Sequence, residues 1–204
     1  MSLTATSTPS TFELVPPGQY AARCYRVIDL GTQTSNWNGK TKELPKVLFS
    51  FEALGDAPLM KDGRPFSISA RFTVSTSEKS NMRPFLESWR GQPFTDEEVR
   101  SFRTSKVLGK YCYINVVHEK SKDGTKTYAN IKSIMPLPRA VPHPDPVNED
   151  LVFDLDDRDM RIFEVLGKGI QATIMASKEW DGTKDHDEMQ PAGPDVGDGD
   201  DIPF

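Results

Sequence analysis

The chain has 204 residues and a formal net charge of −5. That length allows one ordinary domain with a core plus appendages, and no apolar stretch approaches the roughly 18 residues a membrane span needs. The net charge alone would speak against a polyanionic partner, but it averages two unlike parts. Between Phe12 and Arg139 there are 20 Lys and Arg against 13 Asp and Glu, and from Ala140 onward 5 against 17. A basic body can release counterions from a phosphate backbone, whereas an acidic trailing part is repelled by one.

Residues 1–11 are rich in Ser and Thr, carry no charged side chain and lack a basic-then-apolar secretion signal. They read as a disordered lead-in to an intracellular, soluble protein. Pro16, Pro17 and Gly18 turn the chain into a first strand, Tyr20 to Leu30. Tyr20, Ala22 and Cys24 fall on one side of it, Arg23 and Tyr25 on the outward one. A polar loop follows, with Trp37, Lys40, Lys42 and Lys46 around the hairpin signal Asn38-Gly39. Val47 to Leu54 is a second strand, with Val47, Phe49, Phe51 and Ala53 on one face. Asp62-Gly63 marks a turn, and Phe66 to Val74 alternates as a half-buried third strand. Phe66, Ile68, Ala70, Phe72 and Val74 face inward, while Ser67, Ser69, Arg71 and Thr73 face out.

The period then changes. Ser80 or Asn81 caps a short helix to about Arg90, with Pro84 in its first turn and Gly91 ending it. Thr95 to Glu98 is a capping box for a second short helix. Strands resume at Lys110 to His118, turn through Lys120 to Lys126 around Asp123-Gly124, and close with Thr127 to Ile134. Three strands, a helical connection and two strands is the order of a five-stranded OB-fold barrel, and a closed barrel would leave no exposed edge. An SH3-like barrel or an open antiparallel sheet fits the same patterning. The fold expected is mainly β, with the domain spanning 12–139. A Pro/Asp-rich linker occupies 140–159, and an amphipathic helix 160–180 carries Phe163, Leu166, Ile170 and Ile174. That helix is expected to dock on the barrel, although Gly167 and Gly169 weaken it. From Asp181 to Phe204 the chain is Gly-, Pro- and Asp-rich and is expected to be disordered.

Catalytic constellations are missing from this pattern. His118, His143 and His186 are scattered, and Cys24 and Cys112 read as buried thiols rather than a disulfide or zinc pair. No phosphate-binding glycine loop or nucleophile elbow occurs. Asp154, Asp156, Asp157 and Asp159 lack the glycine and terminal glutamate of a calcium loop. The chain is therefore not expected to be an enzyme or to need a metal or cofactor. Single-strand binding, by contrast, needs cations for phosphates and aromatic faces for bases. The outward positions and loops of the expected barrel supply Arg23, Tyr25, Trp37, Lys40, Lys42, Lys46, Arg71, Tyr111, Tyr113, Lys120, Lys122, Lys126, Tyr128 and Lys132. Each tyrosine taken singly is an ordinary strand residue. Trp37, in an Asn-Trp-Asn-Gly loop, has no evident core to join.

The acidic run ending Asp200-Asp201-Ile202-Pro203-Phe204 closely resembles the terminal peptide of bacterial single-stranded DNA-binding proteins. In that family an OB-fold body is followed by a flexible linker and an acidic tip that recruits replication, repair and recombination proteins. The resemblance implies partner binding through Asp198, Asp200, Asp201, Ile202, Pro203 and Phe204, with the apolar residues as anchors and the carboxylates steering. The body differs from the bacterial one, which puts that family's tetrameric state in doubt. Ser77-Glu78-Lys79-Ser80-Asn81, Trp89 through Thr95, and Leu108-Gly109-Lys110 through Tyr128-Ala129-Asn130-Ile131 resemble a bacteriophage-encoded family of OB-fold single-strand binders. That resemblance implies sequence-tolerant single-strand DNA binding in phage replication and recombination, in the cytoplasm of an infected bacterium. The alternative is an adaptor of the replication machinery that does not bind DNA.

Overall fold

The computed structural model describes residues 13–37 and 40–180, the side chains of residues 35–37 excepted. The expectations for the lead-in, the Asn38-Gly39 turn, the Trp37 side chain and the 181–204 tail therefore lie outside the described residues.

The described residues form a mainly β domain with an antiparallel sheet and four α-helices. Strands β1 (Gly18–Trp37), β2 (Lys40–Leu54), β3 (Ser67–Thr73), β4 (Tyr111–Lys120) and β5 (Thr127–Met135) follow the hydrogen-bonded order β3-β2-β1-β4-β5. Helices α1 (Met82–Arg90) and α2 (Asp96–Ser101) lie between β3 and β4, then a 3-10 turn over Thr104–Val107. β3 and β5 come close to one another, but no ladder joins them, so the expected closed barrel is open along this seam.

β1 and β2 are longer than their apolar patterns suggested, because the polar stretch between them is itself strand. The ladder continues to Trp37↔Lys40 and makes a long two-stranded arm. Two bulges, between Cys24 and Arg26 and between Asp29 and Gly31, bend β1 and reset its inside–outside phase. β1 therefore pairs with β4 only through Gly18–Arg23. Beyond the first bulge a short strand β6 (Leu151–Phe153) takes that side, running parallel to Arg26–Ile28.

One core lies on the inner face. Ala22, Cys24, Val47, Phe49, Phe51, Ile68, Cys112 and Ile114 are buried there, closed over by Met82, Leu86 and Trp89 of α1. The helix is held where the sequence places its caps. The Ser80 hydroxyl accepts from Arg83 N–H, and Gly91 ends it in the left-handed region at φ 77°. Thr95 and Glu98 form the reciprocal capping box of α2. β3 alternates as read, except that Val74 lies past its end and is exposed.

A second core lies on the opposite face. Ile28, Leu30 and Leu48 are buried under Phe153, Leu155, Phe163, Leu166 and Ile174. The stretch 140–159 is thus not a free linker but packs along the sheet. The expected single helix is two, α3 (Met160–Val165) and α4 (Lys168–Met175), broken at Leu166 and Gly167. Contact there is close. A Cβ on Gly31 would stand 2.5 Å from the Ser177 Cβ and 2.7 Å from the Leu155 Cδ1, so only glycine admits this approach.

Candidate nucleic-acid interface

Two expected DNA contacts on β1 are not available at the surface. Arg23 and Tyr25 were expected to face out, but both are buried. The Arg23 guanidinium donates to Glu52 Oε1 at 3.0 Å and pairs with Asp150. Glu52 is fully buried and also accepts from the Asn148 backbone N–H at 2.8 Å and its side-chain amide at 2.7 Å. A charge buried this deeply persists only when it is paired. Arg23 is therefore a clamp that holds the 141–150 segment on the sheet. Tyr25 is tied through its hydroxyl to Ser67 at 2.8 Å, and its ring is covered by the Arg26 guanidinium at 4.9 Å. Arg26, which the sequence pattern did not select, is thus the cation nearer the surface here. A strict period of two would have placed it inside.

Tyr111 is also engaged. Its hydroxyl donates to the Pro144 carbonyl at 2.8 Å, and its ring stacks on His143 at 4.4 Å with planes 17° apart. Lys46 donates to Thr73 Oγ1 at 2.7 Å, while Arg71 is exposed on β3. Lys40 and Lys42 are exposed on the β1–β2 arm, on strand rather than in the expected loop.

The remaining expected residues come together on β4 and β5. Cross-strand register puts Tyr113 beside Met135, Asn115 beside Ser133, Val117 beside Asn130 and Glu119 beside Tyr128 on the outward side. Tyr128 is 49% exposed and Tyr113 is half-buried. Lys120, Lys122, Lys126 and Lys132 are exposed, and none makes an ion pair among the described residues. The two carboxylates here are engaged by neutral donors instead. Glu119 accepts from the Asn130 amide at 2.8 Å. Asp123 is held below the usual carboxylate range by the Ser121 hydroxyl, then by Thr125. From Tyr113 to Glu119 the face runs about 20 Å along the strand.

Antiparallel register separates the two basic groups. β4 ends beyond the Gly18 end of β1, whereas the Lys40–Lys42 arm extends from its other end. The β4–β5 hairpin is thus a place where described side chains of expected aromatics and expected cations share one element.

No protein-family model matches this chain, and no curated protein matches it. Neither Met135, 48% exposed beside Tyr113, nor Arg26 carried a signal in the sequence: Met135 lies one residue past the expected strand end at Ile134, and the side Arg26 takes depends on the bulge after Cys24.

Proposed function

We propose that the protein binds single-stranded DNA without strong sequence preference, through the outward face of the β4–β5 hairpin. The observation that carries this reading is that one hairpin carries the exposed Tyr128, the half-buried Tyr113 and four exposed lysines that no carboxylate among the described residues neutralises. Stacking is worth roughly 1–3 kcal/mol per base and is indifferent to sequence. Four phosphate contacts to a single strand give a salt slope near −3, or about a fifty-fold loss of affinity between 50 and 200 mM salt. On this reading the tyrosines supply stacking and the lysines set the salt dependence.

The strand order β3-β2-β1-β4-β5, with helices between β3 and β4, supports an OB-fold with its β3–β5 seam unzipped. On this reading the protein acts in phage DNA replication and recombination inside an infected bacterium. Its acidic stretch, with Asp198, Asp200, Asp201, Ile202, Pro203 and Phe204, recruits partner proteins. The test is titration of labelled oligo-dT and of a duplex of equal length across a salt series. Tight, salt-weakened single-strand binding with much weaker duplex binding is expected. Equal affinity for the two would sink the proposal.

A further inference from the structure

A pocket of about 460 Å³ opens at the far end of this hairpin, walled by Trp89, Arg90, Lys110, Tyr111, Pro136 and His143. None of its lining residues is acidic. Arg90 enters from the last turn of α1, with its side chain 2% exposed. Its Nη2 donates to Glu98 Oε1 at 2.7 Å, and the guanidinium lies over the Phe94 ring at 4.7 Å. Its Nε and Nη1 are buried with no partner among the described residues. A guanidinium does not shed its proton, so both N–H groups remain donors in search of an acceptor.

The rest of the pocket favours the same kind of acceptor. Lys110 and His143 are exposed at its mouth, and no carboxylate among the described residues holds either. The carboxylates that approach the lining residues are occupied: Glu87, near Arg90, accepts from Arg83 and the Phe94 N–H. Glu98 also accepts from the Thr95 N–H, and Asp150, 3.3 Å from where a Cβ on Gly109 would stand, is paired with Arg23. The stacked Tyr111 and His143 rings form a flat aromatic wall.

We propose that this pocket binds a phosphate monoester, namely the terminal phosphate of a nucleic-acid strand. A monoester presents three oxygens and close to two negative charges, against two free oxygens and one charge for an internal diester, so it suits a pocket with three nitrogen donor groups. Continuity with the hairpin supplies the strand. Pro136 follows Met135 directly, and Tyr111 precedes Tyr113 by one turn of the strand's alternation, so a strand lying on the β4–β5 face ends here. The strand-end assignment rests on the single-strand reading above; the phosphate site does not.

The experiment uses the full chain and four ligands: oligo-dT with a free hydroxyl at both ends, the same oligomer with a 5′-phosphate or a 3′-phosphate, and inorganic phosphate. One of the phosphorylated oligomers should bind about tenfold more tightly than the unmodified one. Lys110→Ala with His143→Ala, both exposed positions, and separately Arg90→Gln should bring that ratio close to one. Inorganic phosphate should shift the Arg90 Nε–H resonance in nitrogen-edited NMR. Equal affinity for all three oligomers, with the unmodified one still bound, overturns the strand-end site and leaves the single-strand reading intact. No binding of any oligomer overturns both. An unmoved Arg90 resonance in millimolar phosphate overturns the phosphate site itself.

Discussion

On the outward side of β1 and β2, Arg23 and Glu52 hold one another beneath residues 141–150, and Ile28, Leu30 and Leu48 lie under α3 and α4. On the β4–β5 hairpin, Tyr113 and Tyr128 face outward, and Lys120, Lys122, Lys126 and Lys132 are exposed along its strands and turn with no ion pair among the described residues. Both faces belong to one sheet, and both read as basic and aromatic in sequence. The difference is what the rest of the chain does with them. The C-terminal part of the domain buries the first face and leaves the second open, so a charged residue is structural on one and available on the other.

The strongest way to break this comparison is to remove the cover. A chain cut after Arg139 loses β6, α3 and α4, exposing Ile28, Leu30 and Leu48 and stripping Asn148 and Asp150 from Glu52 and Arg23. Loss of cooperative unfolding and aggregation are expected, read by circular dichroism and light scattering. A monomeric, cooperatively folding fragment would mean that the second core adds nothing to the first.

Next in size is the clamp itself. Arg23→Ala leaves the fully buried Glu52 carboxylate without its cation, and breaking such a pair costs about 3–5 kcal/mol. Urea unfolding measures the loss. Oligo-dT affinity per folded molecule should stay within twofold, because Arg23 touches no surface. A large drop in affinity with little loss of stability would return Arg23 to the interface.

The open face answers to smaller but more specific changes. Tyr128→Ala should weaken oligo-dT binding by about 1–3 kcal/mol without changing the salt slope. Replacing Lys120, Lys122 and Lys126 by Ala should reduce the slope by about 2. If instead Lys40→Ala and Lys42→Ala carry the slope change, the β1–β2 arm is the phosphate track.

Much of this architecture was legible wherever local chemistry decides it. The caps at Ser80, Gly91 and Thr95 and the alternation of β3 are set by residues within a few positions of each other. The phase of β1 was not legible, since a bulge inserts one residue and turns a strict alternation over at Cys24. The second core was missed for another reason. Ile28 and Phe153 meet across more than a hundred residues, and a proline-rich approach to β6 has the composition of a linker. Of the expected site residues, those near the β4–β5 turn stayed at the surface because no later segment among the described residues packs there. Arg23, Tyr25 and Tyr111 found partners in sequence-distant segments.

The smallest effect tests whether the open face keeps a stable floor. Glu98 is held down to about 2, first by its hydrogen bond from Arg90 and then by the Thr95 backbone N–H. A carboxyl depressed in the folded state stabilises it above its unfolded value of 4.5. That contribution is lost as pH falls from about 4.5 through about 2. Unfolding free energy measured across this window should therefore decline, and Glu98→Gln should flatten part of the decline. Glu98 pins Arg90, and Arg90 belongs to the last turn of α1, whose Trp89 donates to the Tyr111 carbonyl at 2.9 Å at the start of β4. Losing the pair should thus loosen β4 from its Tyr111 end, seen as faster amide exchange at Tyr111 and Cys112 than at Val116. Uniform acceleration along β4 would instead show that Glu98 acts on the fold as a whole, and that the floor of the open face does not depend on this pair.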